Sequence, residues 1–231
     1  MKLYELAYAC RLYQGEDDDV YRDMRKDLGD DPNMGSPQCV LQFLNRWGCR
    51  ISKERFGTLE RHLERWAGQW ISLLPHTSKD ILSLEPNVIE LVGESFDALL
   101  TSHFGDTCAA KTLHALRYRA LPVWDAYIKQ RWLDKGGLSG RTAGGTYSNF
   151  LRRVAEEILE LKQDVERLKC SLTDVPKLVK HHKESYDISL VKLVDEYYWI
   201  TITKGNKAPG RDQLEQWLGW ESGSAAATVV H

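Results

Sequence analysis

The stretch from Lys111 to Ile128, KTLHALRYRALPVWDAYI, has the pattern of two short amphipathic helices joined by a tight connection. Pro122 is close to the first turn of the second helix, a position that suits proline because an N–H there has no intrahelical partner. Asp125 is the only acidic residue between Lys111 and Arg131, in a segment that is otherwise basic and aromatic. The stretch is therefore either a purely structural helix pair or one that holds a lysine and an aspartate for chemistry.

Helical periodicity continues on both sides of this stretch. Upstream, a helix from about Phe56 to Leu74 has apolar residues at three- and four-residue spacings and stops at Pro75, and another is predicted to begin near Pro86. Downstream, residues from about Tyr147 to Cys170 carry a regular apolar stripe, which is typical of a core-facing helix or, alternatively, of a coiled-coil seam. Because we find no convincing set of alternating strands, we predict an all-α protein.

Shorter helices and polar loops account for the rest of the chain. The predicted order is an opening helix, an acidic loop at Glu16–Asp19, a loop in DDPNMGSP, a helix through VLQFLNRW that ends at Gly48, a helix in ISLVKLVDEYYWI and a short one at 213–218. Residues 1–220 are predicted to form one helical unit of two lobes. Its central hairpin unit spans about residues 95–135, a Gly-rich connection follows at 136–146, and residues 221–231 are predicted to be a disordered tail.

Composition excludes several classes of protein. The 231 residues have a formal net charge of −2, so an argument for a nucleic-acid partner depends on local charge. The five cysteines form no C-x-x-C pair, and no Walker, dinucleotide-binding, serine-hydrolase or zincin motif is present. We therefore expect no metal and no cofactor. The polar N-terminus does not match a signal peptide and no run is apolar enough to span a bilayer, so we expect a cytoplasmic monomer without a membrane partner.

The residues just before Lys111 indicate where an anion would bind. Gly105, Asp106 and Thr107 predict a turn before the helix, with Asp106 or Thr107 as its N-cap. Unpaired N–H groups and the helix dipole make such a helix start attractive to phosphate. Arg117 and further cations follow within the same stretch. This local charge favours an anionic polymer as the ligand.

The stretch resembles the helix-hairpin-helix DNA glycosylase superfamily, and within it bacterial proteins with an 8-oxoguanine-glycosylase-like fold. Lys111-Thr112 matches the Lys-Thr that begins the helix after the hairpin, and PVWDAYI at 122–128 matches the family's Pro-x-x-Asp-x-x-Ile/Val segment. The resemblance covers about residues 95–135. The family's Leu-Pro-Gly-Val-Gly hairpin is reduced here to FGDT at 104–107, and the interval from lysine to aspartate is shorter than in the best-known members.

The resemblance implies a two-lobed enzyme that flips a damaged or modified base out of double-stranded DNA and cleaves its N-glycosidic bond. In such an enzyme Asp125 would stabilise the oxocarbenium-like state, and Lys111 would attack the sugar C1′ to form a Schiff base, unless water is the nucleophile. A narrower form of this hypothesis is bacterial defence against bacteriophage DNA with modified bases. The alternative is a non-catalytic helical DNA-binding or protein-interaction module with the same fold.

Beyond the two candidate catalytic residues, a set of polar, basic and aromatic side chains is predicted to contact DNA: Gly105, Thr107, His114, Arg117, Trp124, Asn45, Trp47 and Arg50. Each prediction has a structural alternative. Asp125 caps its helix or pairs with a neighbouring cation, and Lys111 is a solvated surface lysine. His114 is a satisfied interior histidine, Trp124 belongs to the core, and LNRWGCR is a polar helix end around one buried tryptophan.

Overall fold

The computed structural model describes residues 1–13, 18–28, 37–134, 136, 138–179, 188–208 and 210. Within these ranges every regular element is a helix, so the prediction of an all-α protein is confirmed. The α-helices are, in chain order, α1 Leu3–Leu12, α2 Asp18–Leu28, α3 Pro37–Arg46, α4 Phe56–Trp70, α5 Pro86–Leu99, α6 Asp106–Leu116, α7 Ala126–Asp134, α8 Ala143–Arg167, α9 Val175–Val179 and α10 Leu190–Tyr198.

Helix positions agree with the sequence pattern at Pro75 and Pro86, whereas α7 begins at Ala126 and not near Pro122, so the connection after α6 is longer than predicted. Helix α5 begins at Pro86, and α4 continues as a 3₁₀ turn to Leu73, just before Pro75. Helix α2 was not predicted and begins at Asp18, inside the stretch expected to be an acidic loop. The predicted helix at 213–218 and the predicted tail at 221–231 lie outside the described residues.

The predicted connection at 136–146 is too long, because α8 already begins at Ala143. Thr142 is its N-cap, and the Thr142 hydroxyl accepts a hydrogen bond of 3.0 Å from the backbone N–H of Gly145. A capping threonine offsets the low helix propensity of two consecutive glycines at 144 and 145. Gly144 and Gly145 therefore belong to the first turn of α8.

Helices α5 and α8 pack with their backbones in direct contact. A Cβ atom added to Gly93 of α5 would lie 2.8 Å from the carbonyl oxygen of Gly144 in α8, closer than real Cβ atoms approach. The backbone N–H of Gly144 also donates to the Asp97 carboxylate over 2.7 Å. Glycine is required on both helices by this approach, and the pair forms a fixed base for the hairpin that follows α5.

Helices α5 and α6 are joined by a tight hairpin at residues 100–105. Thr101 and Phe104 exchange two backbone hydrogen bonds of 3.1 and 3.3 Å, and the Phe104 side chain is fully buried. Gly105 is the N-cap of α6, in place of the predicted Asp106 or Thr107. The segment is thus a helix, a hairpin and a helix, whereas the two-lobed glycosylase architecture stays a prediction.

Among the described residues, the core comprises one large apolar cluster, a smaller one at the N-terminal helix, and a third formed by Ala9, Tyr13 and Ile200. The large cluster is built mainly from α3 to α8, and the smaller one joins α1, the second half of α8, α9 and α10. Helix α10 contributes Val191 and Val194 to the first cluster and Leu193 to the second. This helix is therefore covered on several sides, including the position of Lys192.

Among the described residues, no helix combines the length and the apolar composition needed to cross a bilayer.

Candidate functional site

Lys111 and Asp125 line one cavity of about 240 Å³. The cavity lies where the C-terminal end of α1, the loop after α3, α6, the segment before α7 and α10 meet, and its wall includes Trp47, Asp195 and Trp199. The two candidate catalytic residues belong to different helices and come together only through the fold. Because an ammonium and two carboxylates converge on a space bordered by aromatic rings, the cavity has the composition expected of a ligand site.

Asp125 both caps α7 and faces the cavity. One carboxylate oxygen, Oδ1, accepts a hydrogen bond of 2.7 Å from the backbone N–H of Ile128, which is the geometry of an N-cap. The other oxygen, Oδ2, accepts a hydrogen bond of 2.7 Å from the Thr203 hydroxyl. Lys129 pairs instead with Asp106. The capping alternative is therefore confirmed, and the same side chain also lines the cavity.

Lys111 is half-buried at the cavity wall and is not a solvated surface lysine. Its ammonium donates to the carbonyl oxygen of Trp47 and lies 4.8 Å from the centre of the Trp47 ring. A cation at this distance from an indole face is attracted by the ring quadrupole. This contact joins helix α6 to the loop after α3 and holds Lys111 in place at the cavity.

The loop after α3 brings Trp47 to the cavity and turns through two left-handed residues. Gly48 has a φ of 84° and Arg50 a φ of 52°, and the Arg50 side chain is exposed. The Asn45 side-chain amide donates from Nδ2 to the Ile51 carbonyl oxygen over 2.8 Å. Its Oδ1 accepts a hydrogen bond from the backbone N–H of Ile51. Asn45 closes this loop, which corrects the prediction that its amide contacts DNA.

His114 is an interior residue behind Trp47, which corrects its predicted contact with DNA. It is fully buried, its ring centre lies 5.7 Å from that of Trp47, and its Nδ1 is 2.7 Å from the carbonyl oxygen of Leu121. Burial lowers the pKa of His114 from 6.5 to about 4. The imidazole is therefore neutral at pH 7, and Nδ1 must carry the proton that the carbonyl accepts.

Arg117 stabilises a neighbouring loop and has no surface for DNA. The residue is only 5% exposed, and its guanidinium donates to the carbonyl oxygens of Pro75, Leu116 and Ile71, the last two over 2.8 and 3.1 Å. A guanidinium has enough donors to bind several carbonyl groups at once. Arg117 thus satisfies backbone carbonyls at the end of the α4 segment, and its predicted DNA contact is wrong.

Trp124 belongs to the aromatic core, as its structural alternative stated. The residue is fully buried, and its ring packs edge-on against Phe96 at 5.9 Å and against Tyr147 at 5.3 Å between ring centres. Aromatic pairs in this arrangement add stability beyond the area they bury. Its ring is therefore not a stacking surface for a base, and the predicted contact with DNA is corrected.

A second cavity of about 260 Å³ lies at the N-terminus of α6. Gly105 and Thr107 line it, so both predicted anion-binding residues lie at one opening. Asp106, in the first turn of α6, forms an ion pair with Lys129 there. Asp125 borders this cavity as well as the first one. The positive end of α6 already faces a carboxylate, so an added phosphate would compete with Asp106 for Lys129.

Helix α10 contributes a buried ionic group that the sequence did not reveal. Lys192 is 1% exposed, and its ammonium lies 3.1 Å from Asp195 Oδ2, 3.9 Å from Glu196 Oε1 and 3.3 Å from the Tyr13 hydroxyl. Burial alone would lower the pKa of Lys192, but the facing carboxylates, Asp195 foremost, raise it well above its ordinary value. Asp195 and Tyr13 also line the first cavity. The lysine thus compensates carboxylate charge at the cavity wall.

The sequence signal for this group was ambiguous. Lysine followed by acids three and four residues later is the usual pattern of an exposed helix face. In the sequence of α10, LVKLVDEYY, the residues other than these three charges are apolar or aromatic. This composition was the available indication that the charged side chains are buried.

The chain matches no protein-family model, no curated protein and no solved structure. What the site does therefore follows from its own geometry and from the resemblance of its sequence motifs. Among the described residues, no group of three or more His, Cys, Asp or Glu side chains is arranged to hold a metal ion.

Tyr13 and Trp199 meet edge to face, with ring centres 5.4 Å apart, at the cavity that Lys111 and Asp125 line. Planar aromatic walls beside charged groups suit a planar heteroaromatic ligand.

Proposed function

We propose that the protein is a DNA glycosylase that receives a flipped damaged or modified base in the cavity bordered by Lys111 and Asp125. The observation that supports this proposal is the convergence of these two residues, which the resemblance pairs, on one cavity with aromatic walls. The DNA would be double-stranded, and the enzyme a cytoplasmic monomer. A base modified by a bacteriophage is a narrower form of the same substrate class.

In this proposal Asp125 acts on the positive charge that develops as the glycosidic bond breaks. The sugar takes on oxocarbenium character when the base departs with the bonding electrons, and a carboxylate beside C1′ stabilises that cation. The capping bond from Ile128 and the bond from Thr203 hold the carboxylate in one orientation. A pre-oriented carboxylate does not have to reorganise during the reaction.

Lys111 would supply the nucleophile. Its ammonium first gives a proton to solvent, and the amine then attacks C1′ while the base leaves with the bonding electrons and takes up a proton. Transfer of an amine proton to O4′ breaks the C1′–O4′ bond, opens the sugar and leaves a protonated Schiff base on the lysine. The Schiff base makes the C2′ protons acidic, and loss of one of them expels the 3′ phosphate and cuts the strand. If water attacks C1′ in place of Lys111, the product is an abasic site and the strand stays intact.

A binding module without chemistry is the second candidate, and one observation favours it. Both oxygens of Asp125 already accept hydrogen bonds, and the Lys111 ammonium already donates to the Trp47 carbonyl. Each side chain therefore has a sufficient structural role. In this alternative the protein binds DNA or another protein through the same surface and releases no base.

The experiment that separates the two candidates is base release from duplexes with oxidised, alkylated or deaminated bases and from bacteriophage DNA with glucosylated bases. The test variant is Asp125→Asn, because asparagine is as good an N-cap as aspartate and keeps α7 intact while it removes the charge. We expect base release to fall at least about a hundredfold. The matched control is Asp134→Asn, an exposed acid on the same helix whose carboxylate accepts from Gln130.

Full activity of Asp125→Asn would exclude the proposed role of this carboxylate. No release by the wild-type protein from any substrate, with DNA binding retained, would favour the binding module. Strand breaks without alkali treatment would indicate the lysine route, and breaks that need alkali would indicate water as the nucleophile.

A further inference from the structure

Helix α10 does not end in an ordinary α-turn but continues as a π-helical turn, Trp199–Thr203. The backbone N–H of Lys204 donates to the carbonyl oxygen of Trp199 over 2.9 Å, one residue further along the chain than in an α-helix. Such turns are rare and occur often at functional sites. Both ends of this turn reach the candidate site, since Trp199 lines the cavity and Thr203 bonds Asp125.

Thr203 contacts the oxygen of Asp125 that the helix cap leaves available. An ionised carboxylate accepts hydrogen bonds and donates none, so the Thr203 hydroxyl is the donor over the 2.7 Å to Oδ2. Oδ1 is held by the N–H of Ile128. Two bonds to two different oxygens fix the rotation of the carboxylate, and each oxygen retains a further lone pair for a ligand.

We propose that Thr203 is a positioning residue that orients the Asp125 carboxylate toward the cavity for the glycosylase reaction. The inference rests on the proposed function. The cap bond alone constrains the carboxylate through one oxygen, and the bond from Thr203 adds a second constraint on its rotation about Cβ–Cγ. The second bond comes from a residue 78 positions away in the chain, so the orientation of the carboxylate depends on α10 being seated against α7.

The test measures the steady-state kcat and KM of base release for three variants of the full chain on one DNA substrate. Thr203→Val has nearly the same shape and no hydroxyl, whereas Thr203→Ser keeps the hydroxyl. Thr201→Val is the matched control, because the Thr201 hydroxyl, on the same π-helical turn, donates to the Tyr197 carbonyl over 2.7 Å and does not contact Asp125. We expect Thr203→Val to lower kcat about tenfold with little change in the KM for DNA, which is the loss expected for one hydrogen bond to a charged group.

Thr203→Ser is expected to retain most of the wild-type kcat, and Thr201→Val is expected to leave kcat unchanged. Wild-type kcat in Thr203→Val would overturn the inference. An equal loss of kcat in the valine and serine variants would also overturn it, because packing and not the hydroxyl would then be the cause. Thermal unfolding of each variant shows whether it is folded. If the wild-type protein releases no base, the proposed function itself has failed, and the positioning role fails with it.

Discussion

Two lysines approach the indole of Trp47 and end in opposite electrostatic surroundings. The Lys111 ammonium lies 4.8 Å from the ring centre and that of Lys192 lies 5.7 Å from it. Lys192 is fully buried against Asp195 and Glu196. Lys111 is half-buried and bonds a carbonyl oxygen, and no carboxylate among the described residues lies within ion-pair distance of it.

This difference separates a structural cation from a candidate nucleophile. Removing the proton of Lys192 would leave two carboxylates in the interior without compensation, which is costly in a medium of low dielectric constant. Removing the proton of Lys111 leaves no carboxylate unpaired. The same residue type beside one indole can therefore serve two purposes, because Asp195 and Glu196 of α10 lie within ion-pair distance of Lys192.

The largest effect is expected from Lys192→Met, which removes the buried cation and keeps much of the side-chain volume. We expect the free energy of unfolding to fall by about 3–5 kcal/mol, because Asp195 and Glu196 would stay buried without their partner. Urea denaturation measures this loss. Lys162→Met is the control, since Lys162 lies on the exposed side of α8 and surface replacements change stability by about 0.5 kcal/mol or less. Equal stability of the two variants would mean that the buried group is not ionic.

The pH dependence of stability tests His114, whose buried ring packs beside that of Trp47. Its pKa is about 4 when folded against 6.5 as the ordinary value, so the unfolded chain binds more protons between these pH values. The contribution of His114 to stability is thus fully present above about pH 6.5 and is lost as the pH falls toward 4. The expected loss is about 3 kcal/mol.

Urea denaturation of the wild-type protein and of His114→Phe at pH 7 and pH 4.5 measures the contribution of His114. The phenylalanine variant should have a smaller loss of stability on acidification than the wild-type protein. The same loss in both proteins would contradict a buried neutral imidazole at this position.

The smallest expected effect on stability, and the most informative for chemistry, comes from Lys111→Gln. The free energy of unfolding should change by less than about 1 kcal/mol, because a half-exposed cation loses one hydrogen bond and one contact with a ring. Under the proposed function, reduction with borohydride during the reaction should trap the wild-type protein on DNA and not the variant. Denaturing electrophoresis detects the trapped complex. A complex that persists in Lys111→Gln would assign the Schiff base to another amine.

The sequence was most informative where local chemistry alone determines structure. Pro86 marks the start of α5. The capping role of Asp125 also follows from its place just before α7. These features depend on neighbours in sequence, which a reader of the sequence can see.

The predictions failed where burial decides. His114 was expected to contact DNA, but it is fully buried beside Trp47. Arg117 looked like a phosphate ligand, yet the carbonyl groups that it satisfies come from a loop far away in sequence. The buried charges of α10 were not predicted, because lysine followed by acids three and four residues later is also the pattern of an exposed helix face.

The contact between Gly93 and Gly144 has a mechanical consequence. Side chains between two helices act as a compliant layer, because they change rotamer when one helix is displaced. Backbone pressed on backbone has no such layer, and a displacement of α5 must then move the first turn of α8 with it. A displacement of the hairpin at 100–105 would therefore also move α8, because no side chains between Gly93 and Gly144 can rearrange to absorb it.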